Sequence, residues 1–297
     1  MEHFKIFALA TLMSMSPAVM PGMERLEGTP LNELINLDYA LVSVDWDHGI
    51  RSALPLAEEL VAAGITCVLW EPRGSNSTRV FCTHGLQESA DVPRIIEKLE
   101  EMSGRKGAVV IGVGRGFGAE LMLQAAAKDS KLHAVVSIDA VASLNKILKR
   151  SNVSTPMREL IGWRMNQLTG LEPFDIAAAK SASHIDSSKP VLLAYIGAEG
   201  AVGTLDDSVA IYTQLKSDHL RFITPRTAED APDATTRTII YATVGGTREI
   251  VQEVPVELAK DEEDVLVEAL KWINDVVNPL QDEPQNGLEP RPARNMP

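Results

Sequence analysis

The stretch "VVIGVGRGFGAELMLQAAA" (109–127) runs a β-branched segment into alternating glycines and out through an alanine-rich, helix-forming segment. A strand, a tight turn and a helix in this order serve two chemistries. One places a nucleophile at the apex, as in G-x-S-x-G. The other wraps backbone N–H groups around a pyrophosphate, as in G-x-G-x-x-A. In the first alignment Gly114, Gly116 and Gly118 fall on the first glycine, the nucleophile and the last glycine. The nucleophile position is then vacant, because Gly116 has no Oγ. A frame one turn earlier, on Gly112, Gly114 and Gly116, leaves the strand short. In the second alignment Gly114, Gly116 and Ala119 form the fingerprint, and Asp139 ends the next strand where a ribose-binding acid would stand. That reading, an NAD(P)-binding oxidoreductase, is an alternative. Against it, two strand–helix units precede the turn, whereas the fingerprint usually opens its domain.

Covalent hydrolysis needs a hydroxyl, a base and an orienting acid. With the hydroxyl missing, the residues that could take over are His48 and His84, with Asp139 and Glu199 as carboxylates and Asp45, Asp47, Glu71 and Asp206 near them. A histidine with carboxylates activates water or holds a metal. This is the basis of a second alternative, an ester or peptide hydrolase with relocated groups. A lone histidine is far more often structural than catalytic. No metal set and no resident cofactor is expected. Arg115 stands beside the apex, at the start of a helix, where a guanidinium suits a carboxylate or phosphate. The bland reading of Arg115 is a salt bridge to Glu71 or Glu120. The candidate binding set is His48, Gly49, Arg115, Gly116 and Phe117.

These residues need a scaffold, and the pattern supplies one. Apolar runs at 39–45, 65–70, 107–113, 132–139, 190–197, 220–224 and 238–244 read as strands. Helical spacing appears at 54–64, closed by Gly64, at 91–102 and near 262–277. Unbroken apolar strands between helices mean a parallel sheet covered on both faces, an α/β fold. Ligands in such sheets sit at the C-terminal strand ends. The loops beginning at Trp46, Glu71, Gly114, Asp139 and Gly197 should therefore share one rim. Segment 143–186 has no clear strand and is the place for a small helical cap.

Several pieces, in order, resemble the α/β-hydrolase superfamily, in particular its dienelactone-hydrolase and serine-peptidase-like branch. "HG" at His48–Gly49 resembles the loop that helps form an oxyanion hole. "EPRG" (71–74) is similar to a D-x-R-G turn, and "THGLQESADV" (83–92) to T-x-G-x-x-E-x-x-D-V. "AVVSIDA" follows the elbow helix, and "FDIAAAKSASHIDSSKPVLLAYIG" resembles the entry to the strand that normally carries the acid. The resemblance spans about 39–277 and implies a mostly parallel sheet with helices on both faces and a short helical insertion. It also shows where this chain departs. The nucleophile position is Gly116, "GAEG" puts Gly200 at the acid position with Glu199 adjacent, and no histidine follows His219 to act as base. The resemblance therefore implies a pseudoenzyme, an α/β-hydrolase-like chain without conventional serine-hydrolase activity. Its old rim would bind a small anion or a protein partner.

Composition narrows the partners. Of the 297 residues, 41 are acidic and 28 basic, giving a net charge of −13 that repels nucleic acid. The densest acidic run, "EIVQEVPVELAKDEEDVLVE" (249–268), reads as a solvated helix start. Cys67 and Cys82 make neither a disulfide framework nor a metal site, and Cys67 in "ITCVLW" reads as core. No apolar run is long enough to span a bilayer. Lys5, the apolar stretch 6–15 and "SPA" at 16–18 resemble a signal peptide, 1–18, pointing to a secreted or periplasmic protein; the alternative is a cytoplasmic one whose domain starts here. The domain is expected over 29–277, with 143–186 as the cap-like insertion. Residues 278–297, proline-rich and poor in apolar side chains, read as a disordered tail.

Overall fold

The computed structural model describes residues 6–8, 39–43, 50–62, 65–73, 82–103, 107, 109–128, 131–170, 177–197, 202–227, 230, 234–245 and 248–282. The strands are β1 (Ile6–Ala8), β2 (Tyr39–Ser43), β3 (Cys67–Trp70), β4 (Val110–Arg115), β5 (Ala134–Ile138), β6 (Val191–Ala194), β7 (Leu220–Pro225), β8 (Thr236–Gly245) and β9 (Arg248–Ala259). They form one nine-stranded sheet in the order β1-β3-β2-β4-β5-β6-β7-β9-β8. The pairs from β3 through β9 are parallel. Only the edge strands β1 and β8 run antiparallel to their neighbours.

The helices are α1 (Ile50–Ala62), α2 (Val92–Ser103), α3 (Phe117–Ala127), α4 (Leu144–Arg150), α5 (Thr155–Thr169), α6 (Ala178–Ala182), α7 (Leu205–Tyr212) and α8 (Glu262–Asp282). The sheet's alternation sorts them into two layers. Leu41, Val68, Val110, Val135, Val191 and Leu193 face the side that carries α2, α3, α6 and α7. Ala40, Val42, Leu69, Ile111, Val136 and Leu192 face α1 and α8. Both faces are therefore sealed, which is why these strands read as continuous apolar runs. Cys67 belongs to the second layer, fully buried with its Sγ 3.7 Å from the Ala57 carbonyl oxygen, and burial pushes its thiol up to about 12. It is a core residue, as its sequence context suggested.

The crossing order, with β3 outside β2 and β4 inside, together with the β4–α3 turn described below, is that of the α/β-hydrolase fold. Three boundaries differ from the sequence reading. Helix α1 begins at Ile50, ahead of the expected 54. Helix α8 runs to Asp282 and takes in the first residues assigned to the tail; 283–297 lie outside the described residues. The acidic run begins as a strand, not a helix: β9 pairs along its length with β8. Val254 and Val256 are buried while Glu253 and Pro255 are exposed, a period-2 pattern that outweighs the acidic composition. Segment 143–186 is helical among its described residues, with α6 packed against α3 and α7. Within 1–18, residues 6–8 pair with β3, so cleavage after residue 18 would remove that edge strand.

Candidate functional site

Parallel pairing brings the C-terminal strand ends together. Ser43 pairs with Trp70 on one side and Gly114 on the other, Arg115 with Ile138, and Ile138 with Ala194. The rim expected from the sequence therefore exists at β2, β3, β4, β5 and β6.

At its centre is the β4–α3 junction. Strand β4 continues through Gly114 to Arg115, and α3 begins at Phe117, so the turn is one residue long. Gly116 has φ 56° and ψ −120°, a conformation that strains any L-residue. Its N–H donates to the Ile138 carbonyl oxygen at 2.9 Å, and its own carbonyl accepts from the Glu120 N–H at 3.2 Å. The flanking glycines answer to packing. A Cβ on Gly114 would collide with the backbone of Gly118, and a Cβ on Gly118 with the carbonyl of Ser43. The spacing is thus explained at all three positions, and the apex frame is the one on Gly116, not Gly114. The same geometry disfavours the dinucleotide alternative, because a one-residue turn leaves no glycine loop to wrap a pyrophosphate.

Arg115 is half exposed at the strand end, and its guanidinium lies 3.3 Å from the Asp139 carboxylate. Its partner is therefore neither Glu71 nor Glu120. Asp139 is almost fully buried, with φ 51°. Its other carboxylate oxygen accepts the N–H groups of Ile196 at 2.7 Å and Gly197 at 3.0 Å. Asp139 thus ties the end of β5 to the end of β6 and holds Arg115 beside the elbow. That work occupies it, which also removes it as a free ribose-binding acid.

Behind the elbow lies a second polar layer. Phe117 is buried, with the His84 ring edge-on to it at 5.7 Å. Burial drives the His84 imidazole down to about 4, so it is neutral at pH 7. Glu120, in the first turn of α3, is buried and pushed well above the usual carboxylate range by desolvation, then by the carboxylates of Glu88 and Asp207. Burial and its acidic neighbours thus favour the protonated form, against the helix N-terminus, which favours the charged one. Gln124, one turn on, donates to Glu120 at 3.3 Å and to the His84 carbonyl at 2.7 Å. Glu120 and Gln124 were not anticipated. The signal was present as a Glu and a Gln at i, i+4 in an otherwise apolar helix, a spacing that lets two buried polar side chains meet.

The motif loops play a structural part. Arg73 makes a bidentate pair with buried Asp91, one of its bonds 2.7 Å long. Glu88, fully buried, accepts from the N–H of Thr83 at 2.7 Å and of Gly85 at 3.0 Å, and from the Thr83 hydroxyl. Asp207, not Asp206, is the engaged acid of α7: it closes a capping box with Thr204 and pairs with Lys146 and Arg150.

The remaining candidates are dispersed. His48, Gly49, Glu199, Asp45 and Asp47 lie outside the described residues. His133 accepts from the Val110 N–H at 3.1 Å, at the N-terminal end of the sheet, and His219 precedes β7 at that same end. His184 bonds the Lys180 carbonyl at 3.0 Å beyond α6. Among the described residues, no group of three His, Cys, Asp or Glu could hold a metal.

No family model and no curated protein matches the chain. Solved structures similar to it include an esterase of Pyrococcus furiosus, at TM-score 0.47 and 17% identity over 62% of this chain and 71% of that one. A 2,6-dihydroxy-pseudo-oxynicotine hydrolase matches at TM-score 0.46 and 12% identity over 63% and 52% of the respective chains. An acetyl xylan esterase from Paenibacillus sp. R4 matches at TM-score 0.45 and 15% identity over 61% and 66%.

Proposed function

We propose that this chain is a non-hydrolytic protein of the α/β-hydrolase fold that holds a small carboxylate- or phosphate-bearing molecule at the rim without cleaving it. The observation that carries this reading is Gly116. It keeps the sharp apex conformation, φ 56° and ψ −120°, at the start of a buried helix, but supplies no hydroxyl. What remains of the site belongs to the backbone. The first N–H groups of a helix have no intrahelical acceptor and carry its positive end. Arg115 adds a charge beside them. An incoming anion competes with Asp139 for that guanidinium, but Asp139 keeps its two backbone donors when Arg115 swings away. The exchange leaves the buried Asp139 Oδ2 without its cation, a cost that makes the expected binding weak. The resemblance adds His48 and Gly49 to this set, with a backbone N–H as a further donor.

The test is a calorimetric and thermal-shift screen of small carboxylates and phosphate esters on the wild type and Arg115→Ala. Stabilisation of the wild type that the variant loses supports the reading. No stabilisation, or equal stabilisation of both, overturns it and leaves a protein partner as the occupant of the rim. Fluorophosphonate should not label the wild type. Gly116→Ser should show no esterase activity and lose roughly 1–3 kcal/mol of stability, because serine must adopt the strained apex. Ester hydrolysis by the wild type would instead favour relocated catalytic groups. Export through residues 1–18 is likewise a proposal, tested by N-terminal sequencing of protein recovered from the medium or periplasm.

A further inference from the structure

Helix α5 presents large apolar side chains to solvent. Its inward side carries the buried Gly162 with half-buried Arg158, Ile161, Met165 and Asn166. Its outward side carries Met157, Leu160 and Trp163, exposed at 49%, 53% and 58%, spaced three apart and therefore on one stripe. Pro156, Glu159 and Gln167 share that side, with exposed Arg164 between Met157 and Leu160.

The charge around this stripe also reverses that of the chain. Segment 144–169 holds Lys146, Lys149, Arg150, Arg158 and Arg164 against the single acid Glu159, in a protein of net charge −13. Lys146 and Arg150 are committed to Asp207, and Arg150 also reaches the Thr204 hydroxyl and the Val202 carbonyl. These bonds anchor α4 to the start of α7. Lys149 and Arg164 remain exposed beside the apolar stripe.

We propose that the α4–α5 segment is a docking surface for an anionic lipid bilayer, with α5 lying in the plane of the headgroups. Two arguments favour a bilayer over a protein. The first is area. Met157, Leu160 and Trp163 together expose on the order of 300 Å² of side chain, well below the roughly 800 Å² per partner of a stable protein interface. A bilayer needs no complementary partner surface and accepts a few apolar side chains at a time. The second is chemistry. Tryptophan at the headgroup level, aliphatic side chains beneath it and cations beside it form the pattern of an interfacial helix. The net negative body is repelled by a negative membrane while this segment is attracted, so binding should fall steeply with salt.

The test uses the full chain in co-sedimentation with vesicles of phosphatidylcholine containing 30% phosphatidylglycerol, about a third anionic lipid, beside vesicles of phosphatidylcholine alone. The wild type should partition to the anionic vesicles and dissociate as salt is raised. Leu160→Ser/Trp163→Ser should weaken partitioning at least tenfold, and Arg164→Glu severalfold. All three side chains are exposed, so each variant should melt as the wild type does by circular dichroism. No sedimentation of the wild type at low salt, or equal sedimentation of wild type and double variant, overturns the proposal. A concentration-dependent dimer that the double variant abolishes, without vesicle binding, overturns it in favour of a second copy of this chain. Because α5 carries none of the rim residues, this outcome is independent of the anion-binding test on Arg115.

Discussion

Two polar regions flank the first turn of α3, and they are built in opposite ways. In the 73–91 segment every buried carboxylate has donors: Asp91 takes the Arg73 fork, and Glu88 takes two backbone N–H groups and a hydroxyl. At the elbow, buried polar atoms lack hydrogen-bond partners among the described residues, including Glu120 Oε2, Gln124 Oε1, Ser43 Oγ and Ser137 Oγ. The satisfied region holds the fold, whereas the elbow keeps a sharp turn whose apex, Gly116, carries no hydroxyl. Motif residues such as Arg73, Glu88 and Asp91 have structural work of their own, so a motif match alone does not establish catalysis.

The largest effect should come from forcing a side chain into the elbow. Gly118→Ala drives a methyl into the Ser43 carbonyl, where backbone rather than a flexible side chain must yield. A loss of about 3 kcal/mol or more is expected in urea denaturation, beyond ordinary overpacking. A loss under 1 kcal/mol would mean that the helix is not seated against β2. Next is Asp91→Ala, which leaves the Arg73 guanidinium without its bidentate partner. About 3 kcal/mol should be lost, the range for removing one member of a buried pair. If Asp91→Ala costs no more than a surface substitution, the contrast between the two regions fails.

The smallest effects sharpen the comparison through pH. The folded pKa of His84 is lowered from 6.5 to about 4, so its neutral, buried form contributes fully above pH 6.5 and loses that contribution as pH falls toward 4. Glu120 behaves oppositely. Its folded pKa is raised above 4.5, so stability is greatest at low pH and declines as pH rises beyond 4.5, where the unfolded chain releases a proton that the folded one keeps. His84→Gln should flatten the acid side of the stability profile between pH 4 and 6.5. Glu120→Gln should gain on the wild type as pH rises from 4.5. Parallel profiles for Glu120→Gln and the wild type would show that Glu120 is not held protonated.

Much of this was legible in the chain. The β4 run, the alternating glycines and the apolar α3 define the elbow, because close approach and positive φ each demand glycine at a particular residue. The motif loops were legible as segments, but the Arg73–Asp91 pair depends on a contact between residues 18 apart that spacing alone does not show. Strand β9 was hidden because its three acids, Glu249, Glu253 and Glu257, mask a period-2 pattern. The Arg115–Asp139 pair was hidden for a different reason. Asp139 stands beside Arg115 with its backbone in the left-handed region after β5, which aspartate tolerates better than most residues, but local sequence does not show which partner its side chain meets.

The glycine at the apex also sets a direction of change. A strained serine stores energy at that point, and glycine releases it. Selection on stability alone then keeps glycine in place, and later substitutions at the base and acid positions meet no catalytic penalty. Each such step lengthens the return path, since a restored hydroxyl costs stability at once and gives no activity until its partners are rebuilt. On the proposed non-hydrolytic reading, the elbow works as a thermodynamic ratchet, holding such a fold away from hydrolysis one position at a time.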